Sequence, residues 1–186
     1  MKKINHRGDR MKKRIIGMRN LKTALCVLLC MSITAFMNFV YEFIANENVK
    51  EIYSLLFVRD TALYSSIAAV ISLQSTVSLT KKTGIIRVMG TLFGGVFAVL
   101  IIYINSFFDS VAFSLMIVFL GVIAIISLCN AINQAEYASV AAVMFLIVVF
   151  SSAETSAHIE AVHRFIDTVG GVLIALGVNR FVFPPK

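Results

Sequence analysis

Charged residues are scarce in this chain, and their scarcity excludes a soluble domain. Only 15% of the 186 residues are Asp, Glu, Lys or Arg, whereas 59% are hydrophobic. Soluble domains contain about 25% charged and about 45–50% apolar residues. With a mean hydropathy of +0.87, the chain is predicted to be an all-α protein whose main partner is the lipid bilayer.

Cysteine and proline are also few, and the usual catalytic motifs are missing. Cys26, Cys30 and Cys129 lie in apolar stretches without a CxxC or Cys/His cluster, so neither a disulfide framework nor a metal site is indicated. Pro184 and Pro185 follow the last apolar run, where they can stop a helix. Walker, GxSxG, HExxH and Rossmann glycine motifs are absent. We therefore predict no enzymatic activity and no cofactor.

Six apolar runs are close to the roughly 20 residues that cross a bilayer as a helix. They are Leu21–Ile44, Ala62–Thr80, Val88–Phe107, Val111–Cys129, Ala131–Phe150 and Phe165–Phe183. The first run is too long for the core of a cleaved signal peptide. The prediction is a basic cytoplasmic segment over residues 1–20 and a six-helix transmembrane domain over residues 21–183.

Lysine and arginine are distributed unevenly along the chain. Nine of the 17 fall within the first 22 residues, and Lys81, Lys82 and Arg87 fall in the predicted loop after the second span. With the N-terminus inside, 14 basic residues are cytoplasmic and three are external. The positive-inside rule then predicts a bacterial-type cytoplasmic membrane with both termini in the cytoplasm. This placement accounts for the net charge of +7 without a nucleic-acid partner.

The chain resembles itself at an offset of 73 to 77 residues. Residues 64–73 (YSSIAAVISL) and 137–146 (YASVAAVMFL) share six of ten positions. Beyond them, four residues of one helix face recur 77 positions later: Arg87, Thr91, Gly94 and Ala98 match Arg164, Thr168, Gly171 and Ala175. Three spans per copy predict an inverted repeat over about 21–107 and 111–183, a common plan in transporters. The alternative is that alanine-rich spans resemble one another through composition.

Arg87 and Arg164 are the main candidates for function. The predicted spans place Arg87 at the inner end of the third helix and Arg164 at the outer end of the sixth. A guanidinium binds a carboxylate bidentately, so the two arginines could mark the two mouths of an anion path. Alternatively, Arg87 is an ordinary cytoplasmic anchor, and Arg164 forms a local ion pair with Glu160 or Asp167.

Other polar and small residues in the spans have two interpretations each. Gln74, Thr91 and Thr168 either pack and hydrogen-bond locally or line a substrate path. Small residues let membrane helices approach closely, and this is the expected role of Gly90, Gly94, Gly95 and Gly171.

Three segments resemble a known transporter group. Residues 17–24 (GMRNLKTA), 68–77 (AAVISLQSTV) and 87–95 (RVMGTLFGG) resemble the aromatic acid exporter superfamily. That group includes fusaric-acid-resistance-like proteins and, more distantly, the plant aluminium-activated malate channels. The likeness covers roughly residues 15–183. The positions that match the family pattern are Lys22, Thr23, Gln74, Arg87, Gly90, Thr91 and Gly94.

The resemblance implies efflux or permeation of organic anions, aromatic carboxylates above all, and adds Lys22 to the substrate-path candidates. Six short spans leave little room for a pore in one copy, so a homo-oligomer is expected. The alternative function is a non-transporting membrane subunit or scaffold for cell-envelope machinery, which the small size of the chain favours.

Overall fold

The computed structural model describes residues 18–44, 50, 61–107, 110–151 and 156–182, and the regular structure within them is helical. The predicted basic segment 1–20 lies almost entirely outside these residues, as do both prolines. Six helices are bounded as follows: α1 Met18–Phe43, α2 Thr61–Ser72, α3 Val77–Asn105, α4 Val111–Ala131, α5 Ala135–Ser151 and α6 Ala157–Phe181. The all-helical prediction is confirmed for the described part of the chain.

Four of these helices, namely α1 from Asn20 onward, α3, α4 and α6, are long and apolar enough to cross a membrane. The 21 residues of α4 extend about 31 Å at 1.5 Å per residue, which matches a hydrocarbon core of about 30 Å. The apolar helices α2 and α5 have 12 and 17 residues and are shorter than that core. The sequence predicts six full spans. The described residues contain four helices of spanning length and two shorter ones, as in a multi-pass membrane protein.

The predicted second span, residues 62–80, is wrong as a single helix, because α2 ends and α3 begins within it. The hydroxyl of Thr76 accepts a hydrogen bond from the N–H of Leu79 at 3.3 Å and caps α3. The hydroxyl of Thr80 accepts one from the N–H of Gln74 at 3.0 Å. Side-chain hydroxyls that satisfy backbone donors allow one helix to stop and another to start.

Helices α3 and α6 begin earlier in the sequence than predicted. Lys81, Lys82 and Arg87 lie within α3 and not in a loop, and Arg164 lies within α6 and not before it. The 29 residues of α3 extend about 43 Å, well beyond a hydrocarbon core of about 30 Å. A helix of that length can carry its basic first turns outside the core without a break in its hydrogen bonding.

The helices α3 and α6 pack against each other at the centre of the bundle. Helix α3 also packs along α5, and α6 packs along α2; α1 contacts α2 and α6, whereas α4 contacts α5 and α3. Smaller contacts join α2 to α3 and α5 to α6. If α1 is exchanged with α4, α2 with α5 and α3 with α6, the list of contacting helix pairs therefore stays the same.

Small residues form much of the core, and large apolar residues face outward. Cys26, Cys30 and Ala175 are at most 1% exposed where α1, α2 and α6 meet. Phe36 and Phe119, in contrast, are 63% and 66% exposed. Lipid is as apolar as these rings, so close packing of small residues, not burial of large ones, holds membrane helices together. The cysteines are free thiols within this packing.

Candidate functional site

A buried polar network joins three elements at one end of the bundle. The Nζ of Lys22 donates to the Oδ1 of Asn179 at 2.9 Å. The Nδ2 of Asn179 lies 2.8 Å from the Oγ1 of Thr80 and 3.1 Å from the carbonyl oxygen of Gln74, and donates to both. Asn179 and Thr80 are fully buried. This group, called the Lys22 network, ties the beginning of α1 and the turn between α2 and α3 to the end of α6.

The Lys22 network brings together two predicted residues and two that the sequence does not single out. Gln74 takes part through its backbone, since its side-chain Nε2 donates to the carbonyl oxygen of Ile71 at 3.2 Å. Asn179 and Thr80 were not among the candidates. Their only sequence signal is that each is a polar residue near the end of an apolar helix, where a buried polar group requires a partner.

Arg164 is held in a buried cluster at the opposite end of the bundle. Its guanidinium forms an ion pair with Glu160, and the two side chains are only 11% and 10% exposed. The guanidinium carbon lies 3.1 Å from the centre of the Tyr64 ring on α2, a cation–π contact. Of the two readings from the sequence, the structure contains the local ion pair, so the positive charge of Arg164 is compensated.

Asp167 is a second buried carboxylate on the same helix, and it is 4% exposed. It lies near the midpoint of the 25-residue α6, about 15 Å from the start of the helix at 1.5 Å per residue. It borders a cleft of about 130 Å³ between α1, α2 and α6, whose other polar lining includes Thr34 and Ser65. The rest of the lining is largely apolar, with Cys30 and Ile174 among its residues. Asp167 is therefore a buried residue midway along a helix of spanning length.

Thr91 and Thr168 meet where α3 crosses α6. The Oγ1 of Thr91 donates to the Oγ1 of Thr168 at 3.5 Å, and Thr168 donates to the carbonyl oxygen of Arg164 at 2.8 Å. Both threonines are buried. These two equivalent positions of the predicted repeat thus contact each other at the centre of the bundle.

Arg87 lies on α3, where α3 crosses α6. It is half-buried and lies one turn before Thr91, toward the Lys22 network. Among the described residues, neither a hydrogen bond nor an ion pair is found at its guanidinium. Arg87 and Arg164 are therefore on opposite sides of the Thr91–Thr168 contact, and only Arg164 has a carboxylate partner in the described residues.

The four predicted packing glycines lie at helix contacts of different tightness. A Cβ added at Gly94 would collide with the carbonyl oxygen of Ala141 on α5. At Gly171 it would collide with the carbonyl oxygen of Ser65 on α2. At Gly90 a Cβ would lie 2.7 Å from another side-chain carbon, and at Gly95 the nearest atoms are 3.5 Å away. Gly94 and Gly171 thus permit the closest helix approaches.

Comparison with known protein families relates the chain to a described family. The family described as fusaric acid resistance protein-like matches residues 51–178, which is more than half of the chain and includes α2 to α5 and most of α6. No curated protein and no solved structure matches the chain.

Proposed function

This chain belongs to the fusaric acid resistance protein-like family, a family of membrane transporters, and from this premise we propose that it exports or conducts organic anions, with aromatic carboxylates as the main substrate class. The proposed anion specificity rests on Arg87, a half-buried cation within α3. An ionisable side chain within a membrane helix is expensive to bury, by at least about 2.5 kcal/mol at mid-bilayer, and commonly marks a substrate path.

We propose an inverted repeat as the architecture of this transporter. The contact between Thr91 and Thr168 joins positions 77 residues apart, as expected at a two-fold axis. The contact of Gly84 with Val172 has its mate in the contact of Gly95 with Ala161, at the same offset of 77. Together with the exchangeable set of helix contacts, these pairs support a two-fold axis through the crossing of α3 and α6.

The proposed orientation has the Lys22 network on the cytoplasmic side of a bacterial-type inner membrane. That network joins the beginning of α1 to the end of α6, so both ends of the bundle lie on the same side. Lys82, in the first turns of α3, pairs with Glu136 in the first turn of α5 at 2.9 Å, and Arg180 lies in the last turn of α6. The basic side of a membrane protein is usually the cytoplasmic side.

In this proposal, the substrate path follows the crossing of α3 and α6 from the cytoplasmic side to the centre of the bundle. Lys22 and Gln74 lie at the cytoplasmic end of this path. Arg87 lies along the path, which ends at the Thr91–Thr168 contact at the centre of the bundle. Because Arg164 is neutralised by Glu160, Arg87 is the better anion partner of the two arginines. Passage beyond Thr91 and Thr168 would require α3 and α6 to separate, in keeping with alternating access around a midplane site.

An aromatic pair lies where α3 packs against α5. The rings of Phe93 on α3 and Tyr137 on α5 are stacked with their centres 6.4 Å apart. The backbone carbonyl oxygen of Tyr137 lies 3.2 Å from the position of a Cβ on Gly90, which is three residues after Arg87. A substrate ring that reached this pair would gain stacking energy of about 0.5–1.5 kcal/mol beyond its burial.

The decisive experiment is transport by the purified full chain in liposomes, with a panel of labelled aromatic and aliphatic carboxylates. We expect saturable flux that prefers aromatic acids. Arg87→Gln should lower it about tenfold or more, since a hydrogen bond to a charged group is worth about 1.5–3 kcal/mol. Arg180→Gln removes the same charge at an exposed site and should leave flux within about twofold, a difference smaller than about 0.5 kcal/mol.

Two outcomes would contradict this proposal. One is the absence of flux above empty vesicles for every acid in the panel. The other is a stoichiometric foreign partner retained in mild detergent together with no flux, which would favour the scaffold function. Equal losses in Arg87→Gln and Arg180→Gln would leave transport standing but remove the assignment of Arg87.

We propose that the transporter is a homo-oligomer. Helices α1 and α4 lie on the two flanks of the bundle and expose many large apolar side chains. Native mass spectrometry of the transporting protein should give a multiple of the monomer mass. A monomeric mass with full transport would contradict this part of the proposal.

A further inference from the structure

We propose that Asn179 is a positioning residue that closes one end of the crossing between α3 and α6, and that a carboxylate bound to Lys22 releases it. In the closed state, Asn179 ties α6 to α3, and the ammonium of Lys22 holds Asn179 in place. The role of the carboxylate rests on the proposed function, whereas the tie between the two helices does not.

Asn179 uses both ends of its side-chain amide in this tie. The Nδ2 group has two hydrogens, and it donates to the Oγ1 of Thr80 on α3 at 2.8 Å and to the carbonyl oxygen of Gln74 at 3.1 Å. The Oδ1 atom accepts a hydrogen bond from the Nζ of Lys22 at 2.9 Å. Asn179 and Thr80 are fully buried. Entry between α3 and α6 from this end therefore requires Asn179 and Thr80 to separate.

The ammonium of Lys22 is a buried cation with a neutral partner. Lys22 is only 9% exposed, and among the described residues the Oδ1 of Asn179 is the one acceptor for its three N–H donors. A charge within a membrane helix is costly without a countercharge. A carboxylate supplies a full countercharge, whereas the amide oxygen of Asn179 is neutral. A substrate carboxylate should therefore take the ammonium from Asn179 and leave that side chain free to move away from α3.

The opposite end of the bundle has a related but weaker contact. The hydroxyl of Ser114, in the first turn of α4, donates at 3.1 Å to the Oδ1 of Asn105, the last residue of α3. It shares its one proton with the carbonyl oxygen of Ser110 at 3.2 Å. Asn105 lies one turn after the position that matches Asn179 at the offset of 77.

Each end thus has an asparagine late in the last helix of one repeat, held by the first helix of the other repeat. The donor is a cation at the end with the Lys22 network and a neutral hydroxyl at the other end. An anion should therefore act on the contact of Asn179 and not on the contact of Asn105.

Two of the cysteines can report locally on this contact. Cys26 lies one turn after Lys22 on α1, is fully buried, and packs in the same cluster as Val178, the neighbour of Asn179 in the sequence. Cys129 is equally buried, but in a separate cluster between α4 and α5. Opening of the Lys22 network should expose Cys26 alone, whereas unfolding of the bundle exposes both thiols.

The first test measures the rate of labelling by N-ethylmaleimide in liposomes, in chains that keep either Cys26 or Cys129 and have alanine at the other two cysteines. Asn179→Ala should raise the rate at Cys26 about tenfold or more, as expected for the loss of a hydrogen bond to a charged group. The rate at Cys129 should stay within about twofold. Asn105→Ala, the matched change at the opposite end, should leave Cys26 protected.

Thr80→Val removes one acceptor of Asn179 with little change in shape, and it should also raise the rate at Cys26. It provides a second variant with Asn179 intact. Equal increases at Cys26 and Cys129 would mean that Asn179 only stabilises the fold, and they would overturn its positioning role. An unchanged rate at Cys26 in both variants would overturn it as well.

The second test adds benzoate to the chain that keeps Cys26. Benzoate should raise the labelling rate at Cys26 in a saturable manner, and benzyl alcohol, which lacks the carboxylate, should not. Lys22→Gln keeps an amide donor but removes the charge, so the thiol should no longer respond to benzoate in this variant. A response that survives in Lys22→Gln overturns the role of Lys22.

Failure of this inference differs from failure of the proposed function. Benzoate flux in liposomes without any response of Cys26 to benzoate overturns the release of Asn179 and leaves the transport function standing. The absence of flux for every acid contradicts the proposed function and overturns release by a carboxylate. Selective exposure of Cys26 in Asn179→Ala would still support the tie between α3 and α6 in that case.

Discussion

Alanine in place of Gly171 should destabilise the bundle, whereas alanine in place of the adjacent Gly170 should not. A Cβ at residue 171 would collide with the carbonyl oxygen of Ser65 and lie 2.8 Å from the Cβ of Ala68, both on α2. A Cβ at Gly170 or at Gly177 meets nothing within 4 Å. The three substitutions are chemically identical and lie in the same helix, so the difference between them isolates the contact of α6 with α2.

The expected magnitude follows from two opposing terms. Glycine to alanine within a helix gains about 1 kcal/mol of helix propensity, and this gain is common to all three variants. Overpacking a tight contact costs about 1–3 kcal/mol, and this cost applies only at residue 171. The alanine variant at 171 should therefore be about 1–3 kcal/mol less stable than those at 170 and 177. For a chain of this size, 2 kcal/mol corresponds to about 4–8 °C in melting temperature.

The cysteines of the protein provide the assay. The chain has no tryptophan, but Cys26, Cys30 and Cys129 are each at most 1% exposed. A thiol-reactive fluorogenic dye should report their exposure as the detergent-solubilised protein is heated. Circular dichroism at low temperature checks that all variants start equally helical. Equal melting temperatures for the variants at 171 and 170 would refute the close approach of α6 to α2.

Two further predictions concern polar contacts at the basic end of the bundle. Asn179→Ala should lower the free energy of unfolding by about 1.5–3 kcal/mol, because it removes the acceptor of a buried ammonium. The double variant with Lys22→Met should lose clearly less stability than the sum of the two single variants. Strict additivity in this double-mutant cycle would contradict the hydrogen bond between Lys22 and Asn179. Lys82→Gln should change the free energy of unfolding by less than about 1 kcal/mol, because the side chains of Lys82 and Glu136 are 62% and 57% exposed and exposed ion pairs contribute little. A larger loss that does not depend on salt, in the same melting assay, would show that the pair is not a surface contact.

The helices were predictable from the sequence where apolarity alone defines them. Helix α4 begins at Val111 as predicted and extends two residues past the predicted end at Cys129. Helix α6 begins at Ala157 and not at Phe165, because its first turns carry Glu160, Arg164 and other polar residues that hydropathy assigns to a loop. Those charges are compensated by each other and by α2, and such compensation is invisible in a count of apolar residues.

The candidate site was only partly predictable, for a related reason. The repeated helix face singled out Thr91 and Thr168, but their contact with each other was not predicted. The Lys22 network was not predicted either, because the importance of Asn179 and Thr80 depends on the packing of the end of α6 against the turn after α2. A lone polar residue near a helix end has many possible partners, and only the tertiary structure selects one.

The two copies of the proposed repeat share a scaffold but not a charge distribution, and this difference bears on the direction of transport. Each copy has an arginine at the same position, one turn from the central threonine. In the second copy, one carboxylate pairs with that arginine and a second lies three residues after it. The corresponding residues of the first copy are uncharged: Glu160 and Asp167 of the second copy correspond to Thr83 and Gly90.

A symmetric scaffold alone would let an anion enter equally from either side. In the proposed function, the charge of Arg87 attracts anions to the half of the crossing nearer the Lys22 network, whereas Arg164 in the other half is paired with Glu160. Under the proposed orientation, this asymmetry favours loading from the cytoplasmic side. Thr83→Glu places a carboxylate four residues before Arg87, as Glu160 stands four residues before Arg164. It should lower the affinity for benzoate measured from the side of the Lys22 network more than from the other side in oriented vesicles, and equal losses on both sides would contradict this origin of directionality.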